Sequence, residues 1–97
     1  MKEFRDKLSE IAYYGKLLHE NKLVIGSGGN ISVRDGDSLI IKKKNADMSD
    51  GNFSDYVQIP FQEAGHAEEG LLSSETPMHI ACYDAHPNVE AVIHVHS

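Results

Sequence analysis

The sequence predicts an α/β sandwich, because segments with helical spacing alternate with short strand-like segments along the chain. An amphipathic pattern covers residues 2–21, a hairpin pattern covers residues 31–41, and a capped helix from Ser73 precedes a strand rich in valine and isoleucine. This order favours helices packed on a sheet over a helical bundle or an all-β fold.

The first predicted element is a helix over residues 2–21, which a glycine-rich loop follows. Its apolar residues have the spacing of a helix that buries one face, and they are Phe4, Leu8, Ile11, Leu17 and Leu18. Three of the four residues from Gly26 to Gly29 are glycines, which allow backbone angles that side chains forbid. They predict a turn or a ligand-binding loop before Asn30.

A β-hairpin is predicted next. Residues 31–34 and 38–41 have strand character, and residues 35–37 have the composition of a tight connection between them. After a polar stretch, residues 55–60 predict a third strand, which Pro60 ends. No clear period is visible between that strand and the second helix.

The second helix is predicted from Ser73 to about Ala85, since hydroxyl groups can cap its first amides and Pro77 suits its first turn. Residues 89–95 then predict a strand of the type that is buried on both faces at the centre of a sheet. With this strand left uncovered, the chain is expected to pair with another copy, so a homo-oligomer is expected.

Composition excludes several classes of function. The 97 residues suffice for one domain, and 15 acidic against 9 basic residues give a net charge of -6, which disfavours a nucleic-acid partner. One cysteine, Cys82, cannot form an internal disulfide, so a reducing cytoplasmic location is expected. No apolar stretch approaches the roughly 20 residues that span a bilayer, so no membrane partner is expected.

The pair His94 and His96 is a candidate half of a metal site. Alternate residues on a strand point to the same side, so both imidazoles can reach one cation. Catalytic zinc sites use three protein ligands and leave a position open for water or substrate. Two histidines are therefore insufficient alone, and two polar residues at a strand end are the ordinary alternative.

Two further motifs could bind an anion. Ser73, Ser74 and Glu75 stand at a predicted helix start, where hydroxyls and amides can hold an anion and a carboxylate can act as a base, although a simple helix cap explains them equally. The glycines before Asn30 could cradle a phosphate through backbone amides, or could form a plain turn into the hairpin.

Taken in order, residues 28–32, 73–79 and 92–96 resemble the class II aldolase and adducin family. The resemblance implies a three-layer α/β/α sandwich, of which residues 1–97 are the N-terminal part and incomplete. It implies that His94 and His96 hold zinc or another divalent metal and that Glu75 is the acid/base. It also implies a set of residues that hold the substrate phosphate, namely Gly29, Asn30, Ser73 and Ser74.

The activity implied by this resemblance is that of a zinc-dependent lyase of sugar phosphates, which cleaves a carbon–carbon bond through an enediolate. Glutamate at position 75 favours aldolases or the related dehydratase of methylthioribulose phosphate, since pentose-phosphate epimerases of the family typically carry aspartate there. A non-catalytic adducin-like interaction module and an inactive fragment are the alternatives, and the histidine pair argues against the module.

The chain departs from the family pattern in two places. Residues 41–45 carry Lys42, Lys43 and Lys44 where sugar-phosphate aldolases usually have Thr-Pro-Ser-Gly, and a solvated hairpin edge is a slightly better interpretation than an anion site. A third histidine ligand is also missing, because the other histidines fit surface or packing roles better: His19, His66, His79 and His86. The 97 residues alone are therefore not expected to catalyse aldol cleavage.

Overall fold

The computed structural model describes residues 3–24, 26–67 and 70–95. Across these residues, strands form one antiparallel sheet in the order β3-β2-β1-β4, and they are β1 (Asn30–Asp35), β2 (Ser38–Lys42), β3 (Tyr56–Pro60) and β4 (Ala91–His94). The helices are α1 (Lys7–Glu20), the single turn α2 (Phe61–Ala64) and α3 (Thr76–Ala85). Two 3-10 turns, Met48–Asp50 and Phe53–Asp55, precede β3.

The predicted hairpin is confirmed. Asp35 at the end of β1 pairs with Ser38 at the start of β2, so two residues make the connection. Gly36 has a φ of 60°, which suits the left-handed geometry that two-residue hairpin loops require. The predicted third strand is confirmed at the same time, since β3 pairs with β2 along its whole length.

Helices cover both faces of the sheet, which confirms the three-layer α/β/α arrangement. On one face, Ile11 and Ala12 of α1 pack against a buried cluster with Ile40 of β2. The neighbouring residues of β2, Leu39 and Ile41, point the other way and pack with Tyr83 of α3. The fully buried isoleucine and leucine side chains among these residues each contribute about 1.5–3 kcal/mol of hydrophobic stabilisation.

Both helices begin later than the sequence predicts. The carboxylate of Asp6 accepts a hydrogen bond from the Ser9 amide at 2.8 Å, so the first helix begins at Lys7 and not at residue 2. The second helix begins at Thr76, because Ser73 is held in a turn by backbone hydrogen bonds.

The expectation that the last strand is central and buried on both faces is wrong for the part of the chain described. β4 covers only Ala91–His94 and lies at the sheet edge, with β1 on one side. Ala91 and Ile93 are exposed, and Val92 and His94 are half-buried. The composition predicts a strand correctly, but its burial depends on what packs beside it.

None of the helices in the described ranges is both long enough and apolar enough to cross a membrane.

Candidate functional site

A cleft of about 140 Å³ lies between the glycine-rich loop, the end of β2 and the start of α3. The structure brings together in its wall the residues that the resemblance implies for phosphate binding, and Glu75 with them: Gly29, Asn30, Ser73 and Ser74. Lys42, Lys44 and Asn45 line the same cleft, although the sequence does not predict them as site residues. Motifs about 45 residues apart in the sequence are therefore neighbours in space.

Gly29 fixes the path of the loop that forms one wall. Its φ is 74°, and a Cβ atom built on it would lie 2.4 Å from Cγ1 of Val24 and 3.2 Å from the backbone oxygen of His94. Any side chain would therefore strain the backbone and collide with buried atoms. Glycine at this position lets the loop pack directly against the end of β4.

The side chain of Asn30 is held by a buried chain of hydrogen bonds. Oδ1 of Asn30 contacts Nε2 of His79, and Nδ1 of His79 lies 2.6 Å from Oγ of Ser32, which lies 2.8 Å from the Tyr83 hydroxyl. Because a carbonyl oxygen only accepts, Nε2 donates to Asn30, and neutral Nδ1 accepts from Ser32. Tyr83 then donates to Ser32, so every member of the chain has a definite role.

The environment of His79 keeps its ring neutral at neutral pH. The residue is fully buried, and burial, followed by the nearby His94, lowers the pKa of His79 to about 4. The packing interpretation of His79 is therefore right, but the sequence gives no sign that its partners are Asn30 and Ser32, which lie 49 and 47 positions away.

The start of α3 places Ser73, Ser74 and Glu75 on the opposite wall. Oγ of Ser73 accepts the Glu75 amide at 3.2 Å, and the Ser73 carbonyl accepts the Thr76 amide at 3.1 Å and the Thr76 hydroxyl at 2.6 Å. Ser74 is exposed and Glu75 is half-buried. The Glu75 side chain makes no capping hydrogen bond, so helix capping does not occupy its carboxylate.

The interpretation of residues 42–44 as a solvated hairpin edge is wrong. The backbone of this segment is bonded on both sides, since the Lys43 amide donates to Asp55 and the Lys44 amide donates to Leu71. The side chain of Lys42 is buried, and Nζ donates to the backbone oxygens of Ser27 at 2.7 Å and Ala46 at 3.0 Å. Only Lys44 of the three is exposed.

His94 lies at the edge of the same region. It pairs with Asn30 across the β1–β4 ladder, so both side chains lie on the face that α3 covers. His96 lies outside the described residues. Imidazole is a suitable zinc ligand, but no cluster of three His, Cys, Asp or Glu residues occurs within the described ranges. The donor chemistry of an imidazole at this position fits a zinc site, to which His94 would contribute one ligand.

Comparisons with known proteins identify relatives of this chain. An L-fuculose phosphate aldolase of Methanococcus maripaludis (strain C7) is 35% identical over 81 residues, which cover 84% of this chain and 44% of that protein. A methylthioribulose-1-phosphate dehydratase of Pseudoalteromonas translucida is 26% identical over 90 residues, covering 93% of this chain and 43% of that protein.

A solved structure, the L-fuculose-1-phosphate aldolase from Thermus thermophilus, superimposes with a TM-score of 0.78 at 26% identity, covering 96% of this chain and 48% of that one. The chain thus spans about half the length of each of these three proteins. The sequence model of the class II aldolase and adducin N-terminal domain matches residues 9–97. The chain therefore belongs to the class II aldolase and adducin family.

Proposed function

We propose that residues 1–97 form the N-terminal part of the catalytic domain of a divalent-metal-dependent lyase that acts on a sugar phosphate, with aldol cleavage as its reaction. The observation that carries this proposal is the cleft itself, in which Gly29, Asn30, Ser73 and Ser74 surround one space and Glu75 stands beside it. The relatives named as aldolases of a sugar phosphate support the reaction class.

The residues of the cleft suit distinct roles. The glycine loop, the Asn30 side chain and the two serines offer neutral hydrogen-bond donors, which suit the oxygens of a phosphate monoester. Among the described residues that line the cleft, Glu75 is the one with a carboxylate, and it would move the proton during bond cleavage. His94 and His96 would hold a zinc ion, which would supply Lewis acidity toward a substrate carbonyl.

A dehydratase acting on methylthioribulose 1-phosphate is the second candidate, because relatives with that name match the same part of the chain. Both reactions need a phosphate site and a proton-transferring carboxylate, so the cleft suits either. The discriminating measurement is a comparison of the two substrates with the protein that carries this segment.

The test of the proposed function is Glu75→Gln in that protein. Turnover of the preferred sugar phosphate should fall by about 10²–10⁴, as expected for lost general acid–base catalysis, while zinc content and substrate binding stay unchanged. Glu63→Gln is the matched control, since Glu63 is exposed on α2 and does not line the cleft. Unchanged turnover, or a loss of zinc, would show that Glu75 does not transfer the proton.

A further inference from the structure

Lys42 carries a positive charge into the interior beside the cleft. The residue is 2% exposed. The ion pairs within 4 Å among the described residues are Arg5–Asp6 and Lys7–Glu90, so no carboxylate of those residues lies that close to the Lys42 ammonium group. Burial lowers the pKa of Lys42, and the charges of Asp47 and Asp55, which lie beyond 4 Å, only partly oppose this lowering. A buried charge is costly unless a partner of opposite charge compensates it.

The hydrogen bonds of Lys42 leave one donor for a ligand. An ammonium group has three N–H donors, and two of them bind the oxygens of Ser27 and Ala46. These two bonds also tie the glycine loop to the loop that follows β2. Lys42 lines the cleft beside Ser73, whose amide donates to the Lys42 carbonyl at 3.0 Å, and exposed Lys44 lines the cleft as well.

The charges of the cleft therefore favour an anion. The cleft wall contains two lysines and one carboxylate, that of Glu75, together with neutral donors from Gly29, Asn30 and the serines. Hydrogen bonds from a charged donor to a charged acceptor are roughly twice as strong as neutral ones. A phosphate dianion would match this arrangement better than a neutral sugar or a singly charged carboxylate.

We infer that Lys42 is a specificity-determining residue, whose buried ammonium group binds the phosphate dianion of the substrate directly, with Lys44 adding charge at the rim. The inference rests on the proposed function, in that the cleft is taken as the phosphate site. It goes further by making recognition depend on ligand charge and on one buried cation, and not only on the cradle of small residues.

The test compares Lys42→Met with Lys43→Met. Methionine keeps the apolar stem of lysine and removes the charge, and Lys43 belongs to the same run but does not line the cleft. Calorimetric titration of the chain with inorganic phosphate, and separately with L-fuculose 1-phosphate, should show affinity about 10- to 100-fold lower for Lys42→Met. Lys43→Met should bind both ligands as the unchanged chain does.

A second variant and a direct probe keep the test decisive. Lys42→Arg retains the charge and should bind phosphate better than Lys42→Met. In the unmutated chain, the ¹³Cε resonance of Lys42 should shift on phosphate addition while that of Lys43 stays constant, which answers the question even if Lys42→Met does not fold.

Equal phosphate affinity of Lys42→Met and the unchanged chain, or an unmoved Lys42 resonance, overturns the inference about Lys42 alone. A chain that binds neither phosphate ligand overturns the proposed phosphate site as well.

Discussion

Two buried tyrosine hydroxyls stand in opposite situations. The hydroxyl of Tyr56 has no hydrogen-bond partner among the described residues, and burial raises the pKa of Tyr56. The hydroxyl of Tyr83 donates to Ser32 in the chain that holds His79. A buried polar group without a hydrogen-bond partner destabilises the folded state, whereas a hydrogen-bonded one stabilises it.

Phenylalanine substitutions should therefore act in opposite directions. Tyr56→Phe should raise the free energy of unfolding by up to about 1 kcal/mol, and Tyr83→Phe should lower it by about 1 kcal/mol or more, because Ser32 then lacks its donor. Urea unfolding of both variants measures the difference. Equal destabilisation by the two substitutions would show that the Tyr56 hydroxyl has a partner, such as a buried water molecule.

At the same scale, local motifs predict some site residues and miss others. The glycine loop and the serines before α3 can be predicted from the sequence, because turns and helix caps depend on residues that are adjacent in the chain. The burial of Lys42 cannot be predicted in this way, because it depends on residues 71–73 pairing with the end of β2. The contact of His79 with Asn30 depends likewise on how α3 lies across the sheet.

Among the elements, α1 packs against its neighbours through Gly15, where there is no room for a side chain. A Cβ atom on Gly15 would lie 2.2 Å from the Tyr56 hydroxyl and 3.2 Å from Sδ of Met48. Alanine is about 1 kcal/mol better than glycine inside a helix, but overpacking a buried contact typically costs about 1–3 kcal/mol. The close approach should outweigh the helical preference.

Gly15→Ala should therefore destabilise the chain, and by less when Tyr56→Phe is also present, since the hydroxyl makes the closest contact. A double-mutant cycle by urea unfolding measures this coupling. Gly65→Ala is the control, because a Cβ atom there meets nothing within 4 Å and its φ is -74°. Additive effects of the two substitutions would mean that α1 moves away from β3 without cost.

Strand β4 carries the proposed metal ligand. Zinc titration of the chain by calorimetry should give weak binding, which His94→Ala reduces by about tenfold or more, and binding should weaken in acidic solution, since histidine ligands must be deprotonated. His86→Ala is the control, because His86 is exposed at the end of α3. Identical isotherms for His94→Ala and the unchanged chain would rule His94 out as a ligand.

Element order and type follow from the sequence better than burial does. The hairpin is predictable because Gly36 and the flanking alternation specify it within a few residues. The position of β4 is not predictable, since Val92 and Ile93 would suit a central strand equally well. The start of α1 is a third case. Residues on both sides of Asp6 suit a helix, and the Asp6 cap decides at which of them the helix begins.

Across the whole molecule, apolar surface remains where β4 meets the end of α1. Ile93 is 51% exposed and Leu23 is 49% exposed, and both line one shallow groove with Tyr14, Leu17 and Leu18. Exposed apolar groups beside a sheet edge are typical of surfaces that other chain segments cover. The expectation of a homo-oligomer stays a prediction on this ground.

Stability of the whole molecule should depend on pH in two separate ranges. The pKa of His79 is lowered to about 4 from 6.5. The contribution of the buried neutral ring to the free energy of unfolding is therefore fully present above pH 6.5 and is lost as the pH falls toward 4. Hydrogen bonds from the Ser9 and Ser49 amides lower the pKa values of Asp6 and Asp47 below 3.8, so their contributions are lost only in more acidic solution.

The urea midpoint of the chain, measured with a chelator so that no metal binds His94, should therefore fall between pH 7 and pH 4.5, because protons bind the unfolded His79 more readily than the buried ring. His79→Gln should be less stable at pH 7, since Ser32 and Asn30 lose their shared partner, and should lose less further stability down to pH 4.5. His86→Gln, at an exposed site, should keep the slope of the unchanged chain. A midpoint that is constant over this range in the unchanged chain would mean that the His79 ring accepts a proton without leaving its buried position, and that the Ser32 hydroxyl does not hold Nδ1 as an acceptor.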